Sequence, residues 1–499
     1  MGHSQPRPSE LFARDREWER LDEFVTGRLE ACLLGLVYGR RRQGKTTLLQ
    51  LLCAKYGGFY WQAEETEAAE NLASLSTAYG IWAGTPGMRF ESWDSAIAQL
   101  LAQKARPTPV VIDEVGRVID KFPALPSIIQ RHMAPVGPSA TNNWTRLILC
   151  GSAFGKMRRL LDGPAPLRGR ATLDLVLQPF DYRTAARFWG LESNPAAAFE
   201  LFSLIGGTPA YLTFAGGDRP RAGDVPSWVC RRLLDPSSAL FREGRIIVAE
   251  DEELTDQKLY WGMLGTVASG IRRWTDIENA LGASRGSMAH SLRTVIDAGW
   301  LARRDDPIRQ SRSTYELLEP LVRFYRLVTA PNEQRLSRGG DARRVWLDAE
   351  STIAALIQGP QLEQLAYDWA LVHAAPATFG GSVSLVGPTS LSQPMSAVDG
   401  KPIRDLDFAA VETTACGARR ILAVGEVKAT TAKVGPGLLD RLDRVAESWE
   451  TKPPRGTTVT GPLKRVLFSR SGFTNDLRRT ADSRPDIELV DLARLYMGE

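Results

Sequence analysis

Two rhythms of apolar and polar positions run along the chain. Residues 33–38, LLGLVY, form a short apolar run closed by Gly39, and 46–55, TTLLQLLCAK, follow with helical spacing. Such a run beside glycine predicts a buried parallel strand. PVVID at 109–113 and RLILC at 146–150 repeat the pattern. Apolar strands alternating with helices predict an α/β fold with a parallel sheet. From 256 to 301 the period turns helical, with Leu259, Met263, Leu264 and Val267 on one face. Thr275-Asp276-Ile277-Glu278 reads as a capping box opening a second helix that Gly282 closes, and Ser284 caps a third. WLARRDD at 300–306 and STYELLEP at 313–320 then predict a two-stranded wing after a helix-turn-helix. A further α/β pattern starts near 350. The Gly-, Pro- and charge-rich stretch 216–226 reads as a linker and 376–402 as a long loop.

At 499 residues, 43% hydrophobic and 24% charged, the chain is long enough for about three globular domains and too apolar for wholesale disorder. No run approaches the roughly 20 apolar residues of a membrane span, so no membrane partner is expected. The first 19 residues lack the apolar stretch of a secretory signal. The five cysteines are scattered and show no zinc-type spacing, which predicts small core residues in a reducing cytoplasm. The net charge of +4 is matched by an excess of four basic over acidic side chains within 256–340. That is a weak hint of nucleic acid.

The strongest chemistry follows the first strand. Gly39-Arg40-Arg41-Arg42-Gln43-Gly44-Lys45-Thr46, with Thr47 behind it, fits a phosphate-cradling loop at a helix N-terminus. Glycine lets backbone N–H groups face phosphate oxygens, Lys45 is placed for the β- and γ-phosphates, and the Thr46 hydroxyl suits Mg²⁺. ATP and Mg²⁺ are the expected cofactors. Val110-Val111-Ile112-Asp113-Glu114 supplies the partner acids: Asp113 for the magnesium, Glu114 to activate water. Ser152, after the strand LILCG, is a candidate γ-phosphate sensor. Arg170 is the candidate finger for developing phosphate charge, with Arg168 competing.

ELFARDREWERL at 10–21, VYGRRRQGKTTLL, VVIDEV, LILCGSAF, PLRGRAT and GGTPAYL at 206–212 together resemble the archaeal-type P-loop ATPases of the AAA+/STAND branch. That family begins F-x-G-R-x-x-E-L, whereas this chain reads Phe12-Ala13-Arg14-Asp15, one residue short and without the glycine. The resemblance implies an ATPase core at 1–215, a linker or helical lid at 216–255 and a winged helix-turn-helix at 256–340. At 350–499 it implies a domain of the DUF234 type, similar to restriction-endonuclease-like PD-(D/E)xK nucleases.

The residues of that last segment suit the implied chemistry. Alternation in IRDLDFA (403–409) puts Asp405 and Asp407 on one strand face, and ILAVGEVK (421–428) does the same for Glu426 and Lys428. A hairpin joining them gathers two carboxylates for Mg²⁺ and a lysine for the attacking water, with Glu363 on the preceding helix as a further carboxylate. Asp405 is the alternative to Asp407, which the family pattern favours. In the winged helix, Met288, Leu292, Val295 and Ile296 form the buried set of 284–298, leaving Arg285, Ser287, His290 and Arg293 for DNA. Arg303, Arg304, Arg309 and Arg312 add to the wing. The expectation is an ATP-hydrolysing, DNA-associated protein whose ATPase controls a metal-dependent nuclease-like domain. The alternative is an ATP-switched scaffold or regulator with a degenerate nuclease fold. A homo-oligomer is left open.

Overall fold

The computed structural model describes residues 6–103, 105–134, 143–282, 285–309, 311–396, 402–414 and 417–498, the side chains of 285–287 and 396 excepted. Five parallel strands form the first sheet: β1 (Leu33–Tyr38), β2 (Phe59–Gln62), β3 (Thr108–Asp113), β4 (Thr145–Gly151) and β5 (Ala171–Val176). Their spatial order is β2-β3-β4-β1-β5, so β4 separates the phosphate-loop strand from the strand carrying the acidic pair. Alternate residues serve opposite faces. Leu34, Leu36, Val110, Ile112, Leu147 and Leu149 enter one core, while Val37, Val111, Ile148 and Cys150 enter the other with Leu48, Leu49 and Leu52. Parallel pairing brings the C-terminal ends of β1, β3 and β4 to one edge of the sheet. Gly39, Glu114 and Ser152 meet there.

Helices then dominate from Tyr182–Trp189 to Glu243–Ala249. The expected linker at 216–226 is mostly exposed and runs into packed helix: Val225, and Trp228 beyond it in the helix Val225–Arg232, are fully buried. Three helices, Gln257–Ala268, Trp274–Leu281 and Arg285–Asp297, precede an antiparallel ribbon of β6 (Leu301–Asp305) and β7 (Ser313–Leu317). Met263, Leu264, Val267, Met288, Leu292 and Val295 form its core, with Leu259 and Ile296 against them. The capping box at Thr275 does not form. The helix starts at Trp274 with Arg273 as its N-cap, two residues earlier than a cap at Thr275 requires, and Arg273 is bridged to Thr314 on the ribbon edge. The expected cap Ser284 lies outside the described residues.

The second sheet is mixed. It comprises β8 (Leu385–Ser396), β9 (Pro402–Thr413), β10 (Arg419–Lys428), β11 (Thr457–Thr458), β12 (Lys464–Ser469) and β13 (Ile487–Asp491). The order is β13-β12-β10-β9-β8, with β11 also on β10. The hairpin of β9 and β10 is as expected. The long loop is not: much of 376–402 is β8, antiparallel to β9. One apolar core runs without a break from the helices at 182–241, through those at 321–369, to the inner face of this sheet. The Tyr182 hydroxyl donates to the Leu495 carbonyl at 2.8 Å, fastening the C-terminal end of the chain to the first of these helices. Among the described residues no helix is long and apolar enough to cross a membrane.

Candidate functional site

The turn after β1 is built on backbone that side chains resist. Gly39 has φ 152°, and a Cβ there would lie 2.3 Å from the Leu177 carbonyl oxygen, so only glycine fits. Arg42 and Gly44 are also left-handed, at φ 71° and 86°. Lys45 opens the helix Lys45–Tyr56 and curls into its own loop, donating to the carbonyls of Gly39 (2.7 Å) and Arg40 (2.9 Å). Burial lowers its pKa, opposed by the charges around it, Glu114 and Asp113 among them. A phosphate brought to this ammonium would meet little competition from water.

The acids stand beside it. The Thr46 hydroxyl donates to Asp113 Oδ2 at 2.9 Å, and the Tyr60 hydroxyl to the same oxygen at 2.7 Å. A hydroxyl and a carboxylate converging at a phosphate loop fit a hard, oxygen-seeking cation such as Mg²⁺. Glu114 adopts φ 51°, a strained position for a non-glycine residue. The Ser152 hydroxyl donates to its carboxylate. Arg41, Arg42, Gly44, Lys45, Thr46 and Thr47 line one side of a 460 Å³ cleft that also reaches Glu114, Ser152, Gln62 and Arg117. GGTPAYL closes it: the Gln43 amide donates to Thr208 at 3.2 Å, and Pro209, Ala210 and Thr213 form the opposite wall.

Arg170 does not join this set. It precedes β5, which pairs in parallel with the start of β1 at Leu34. That is the far end of the sheet, about 16 Å from Gly39 at the rise of a strand. Its guanidinium reaches the Met133 carbonyl, and that of Arg168 the Gly163 carbonyl. The arginines beside the cleft in the same chain are Arg41, Arg42 and Arg117. Arg14 reaches the loop in spite of its altered motif. Ala13 holds φ 52° where the resembled family has glycine, and the Arg14 guanidinium donates to the Gln43 carbonyl at 3.1 Å.

Sequence reasoning missed what holds the loop arginines. Arg40 turns away from the cleft to Glu319 at 2.8 Å, with both side chains buried, and lies over Trp300. Arg42 pairs with Glu243 at 2.6 Å and Glu250 at 3.3 Å, and Arg41 with Glu250 at 3.6 Å and Glu252 at 3.5 Å. Glu250, Asp251, Glu252 and Glu253 are consecutive. Glu252 also binds Lys156, Glu253 binds Arg159, and Asp251 accepts from the Trp300 indole. The acidic run was visible in the sequence; its partners, about 50 to 210 positions away, were not.

In the second sheet the hairpin brings Asp407, Glu426 and Lys428 together. Lys428 Nζ lies 2.7 Å from Asp407 and 2.5 Å from Glu426, and the Val427 N–H donates to Asp407 at 3.1 Å. Burial, then the Asp407 charge, pushes Glu426 up to about 7. Burial alone would depress Lys428, but the two carboxylates more than offset it and its pKa is raised. Glu363 is not among them. It gives its carboxylate to Arg272 at 2.6 Å. Among the described residues no group of three or more His, Cys, Asp or Glu is placed to hold a metal. Asp407 and Glu426 are oxygen donors of the right kind for Mg²⁺, but Lys428 occupies the space between them. In the three-helix body His290 and Arg293 are exposed, whereas the side chains of Arg285 and Ser287 lie outside the described residues. Arg304 is turned inward to Glu316 at 3.1 Å.

No family model matches the chain, and no curated protein matches it. Among solved structures, a Walker-type ATPase of Pyrococcus abyssi aligns at 20% identity and a TM-score of 0.50, over 65% of this chain and 99% of that one. The chain has the fold of a P-loop ATPase. The ORC2 protein of Aeropyrum pernix, in its ADPNP–ADP complexes, aligns over 70% of this chain and 97% of its own, at 14% identity and a TM-score of 0.42. The ORC1 protein of the same organism in complex with DNA aligns at 16% identity and a TM-score of 0.30, over 64% and 92%.

Proposed function

We propose that this P-loop ATPase binds and hydrolyses ATP·Mg²⁺ in the 460 Å³ cleft, and that the nucleotide governs a DNA-associated winged helix and a nuclease-like C-terminal domain. The observation that carries the reading is the joint placement of Lys45, Thr46 and Glu114 on that cleft, with Asp113 bonded to Thr46 behind them. Magnesium, when bound, neutralises phosphate charge there. Thr46 and Asp113 hold it, Lys45 meets the β- and γ-phosphates, and Glu114 orients the attacking water. Ser152 senses the γ-phosphate through its hydrogen bond to Glu114. With Arg170 at the far end of the sheet, charge on the phosphates of the same chain falls to Arg41 and Arg42.

Those two arginines supply the coupling. ATP phosphates compete with Glu250 and Glu252 for them, and the acidic run leads directly into the three-helix body. Nucleotide state is thereby passed to the winged helix, whose exposed His290 and Arg293, with Arg285 and Ser287 on the same helix, form the DNA face. The test is steady-state ATP hydrolysis by the full chain, with and without duplex DNA. Turnover should need Mg²⁺ and rise with DNA, and absence of any turnover overturns the enzymatic reading.

For the C-terminal domain we read Asp407, Glu426 and Lys428 as a PD-(D/E)xK-type site, with Glu363 released from Arg272 as a further carboxylate. A second reading, a domain that binds without cutting, is favoured by one observation: Lys428 and Arg272 neutralise all three acids. Incubating single-stranded, linear and circular DNA with Mg²⁺ or Mn²⁺, with and without ATP, separates the two.

A further inference from the structure

A cleft of 830 Å³ opens between the three-helix body and the second sheet, well away from the phosphate loop. Its size falls within the roughly 300–1,000 Å³ of ligand pockets. One wall is the turn at 270–276 and the ribbon edge at 311–314; the other is β8 at 388–390 with Asp405 of β9. Its chemistry is graded. At the back, Arg272 and Arg304 are fixed by Glu363 and Glu316. Toward solvent, Arg273 meets the Ser390 hydroxyl at 3.3 Å and Asp405 at 3.4 Å, the two charged side chains more than half exposed, and such pairs exchange readily for a stronger anion. Arg312, also lining the cleft, has no ion pair among the described residues. Trp274 lines the same cleft, part-exposed, its ring centroid 6.2 Å from that of Tyr315.

A second observation points to a ligand. Thr389 on the β8 wall is 3% exposed, and its hydroxyl has no hydrogen-bond partner among the described residues. An orphaned buried hydroxyl is costly unless something placed against it completes the bond. The cleft therefore offers labile guanidiniums, a flat aromatic face and an unused hydroxyl in one place. Its volume is that of a ligand-sized groove, far smaller than a turn of duplex. A duplex does not enter; an extended strand does. The floor leads to the hairpin acids, since Asp405 and Asp407 share a face of β9 two residues apart, and Arg272 joins the cleft to Glu363.

We propose that this cleft binds a short stretch of single-stranded nucleic acid, stacking one base on Trp274 and holding phosphates with Arg273 and Arg312. It presents the strand to the Asp407–Glu426–Lys428 cluster, and this last step alone rests on reading that cluster as a nuclease site. Stacked aromatic and cationic side chains along a narrow groove are what sequence-tolerant single-strand binding requires.

The test is fluorescence anisotropy of the full chain in EDTA, with labelled single-stranded DNA, single-stranded RNA and duplex oligonucleotides. Either single strand should bind more tightly than duplex. Trp274→Ala should weaken that binding roughly 5- to 150-fold, the range for one stacked base, while Trp274→Phe retains most of it. Arg273→Ala with Arg312→Ala should flatten the salt dependence by about 0.7 log unit for each phosphate no longer held. Thr389→Val, which keeps shape and fold, should also weaken binding. Wild-type affinity in folded Trp274→Ala overturns the proposal. So does a tighter duplex complex, or displacement by polyglutamate that is indifferent to Trp274. A Mg²⁺ cleavage assay keeps the two readings apart. Cleft-dependent binding without cutting upholds the cleft and rejects the nuclease; cutting that is unaffected by the cleft variants does the reverse.

Discussion

Glu243 illustrates how one buried carboxylate reads pH. Its side chain is 3% exposed, it sits 2.6 Å from Arg42, and burial, partly opposed by that arginine, pushes it up to about 7. A raised carboxylate favours folding while protonated, so its contribution is full below about pH 4.5 and is lost as pH rises through 7, a swing of up to roughly 3 kcal/mol. The thermal midpoint of wild type relative to Glu243→Gln should therefore fall between about pH 4.5 and 7 and then level off. A relative midpoint that rises across that window contradicts the assignment. Glu114 gives a kinetic prediction. Glu114→Gln should bind ATP nearly as wild type but turn it over roughly 10²-fold more slowly, measured by phosphate release. Unchanged turnover would move the base elsewhere. Lys45, Thr46, Asp113 and Glu114 were all legible in the sequence, because a phosphate loop is a local device whose spacing carries its geometry. Glu319, Glu243 and Arg272 were not. Each acts on a residue about 90 to 280 positions away, and no local pattern encodes such a pairing.

Among elements, the acidic run 250–253 is one that ties the phosphate loop to the rest. Its pairs with Arg41 and Arg42 are part-exposed, and pairs of that kind are worth roughly 0.2–1 kcal/mol each. Replacing Glu250 and Glu252 together with Gln should thus raise ATP affinity roughly 2- to 10-fold by calorimetry. A fall in affinity would mean that the run helps to hold nucleotide rather than competing with it. The strands around the phosphate loop were readable because they are buried on both faces and apolar throughout. β8 was not readable, because its composition argues against a strand. It contains Gly387, Pro388 and Pro394, which exclude a central strand, but it lies at the sheet edge, where proline is tolerated, and it takes up the irregularity as register shifts at 387–389 and 390–395. The capping box at Thr275 failed for the converse reason: a good local signal was overridden by the chain arriving along the ribbon edge at Arg273.

At the scale of the molecule, sequence boundaries described modules, whereas the structure packs the lid helices and the second sheet around one continuous core. The sites are nonetheless separate. Asp407→Ala, Glu426→Ala and Lys428→Ala should each abolish metal-dependent cleavage and leave ATP turnover largely intact. Loss of ATP turnover in all three folded variants would show that the second sheet is part of the ATPase site itself. The shared core also predicts that a chain cut before 350 loses stability in the helices at 182–241, because their apolar faces lose the partner they are buried against. The proposed function depends on ATP occupying the phosphate loop. That is tested most directly by titrating ATP·Mg²⁺ into wild type and Lys45→Ala by calorimetry, with circular dichroism to confirm that both are folded. Saturable binding is expected for wild type and none of comparable affinity for Lys45→Ala; equal affinity in the two folded proteins would contradict ATP binding at this loop.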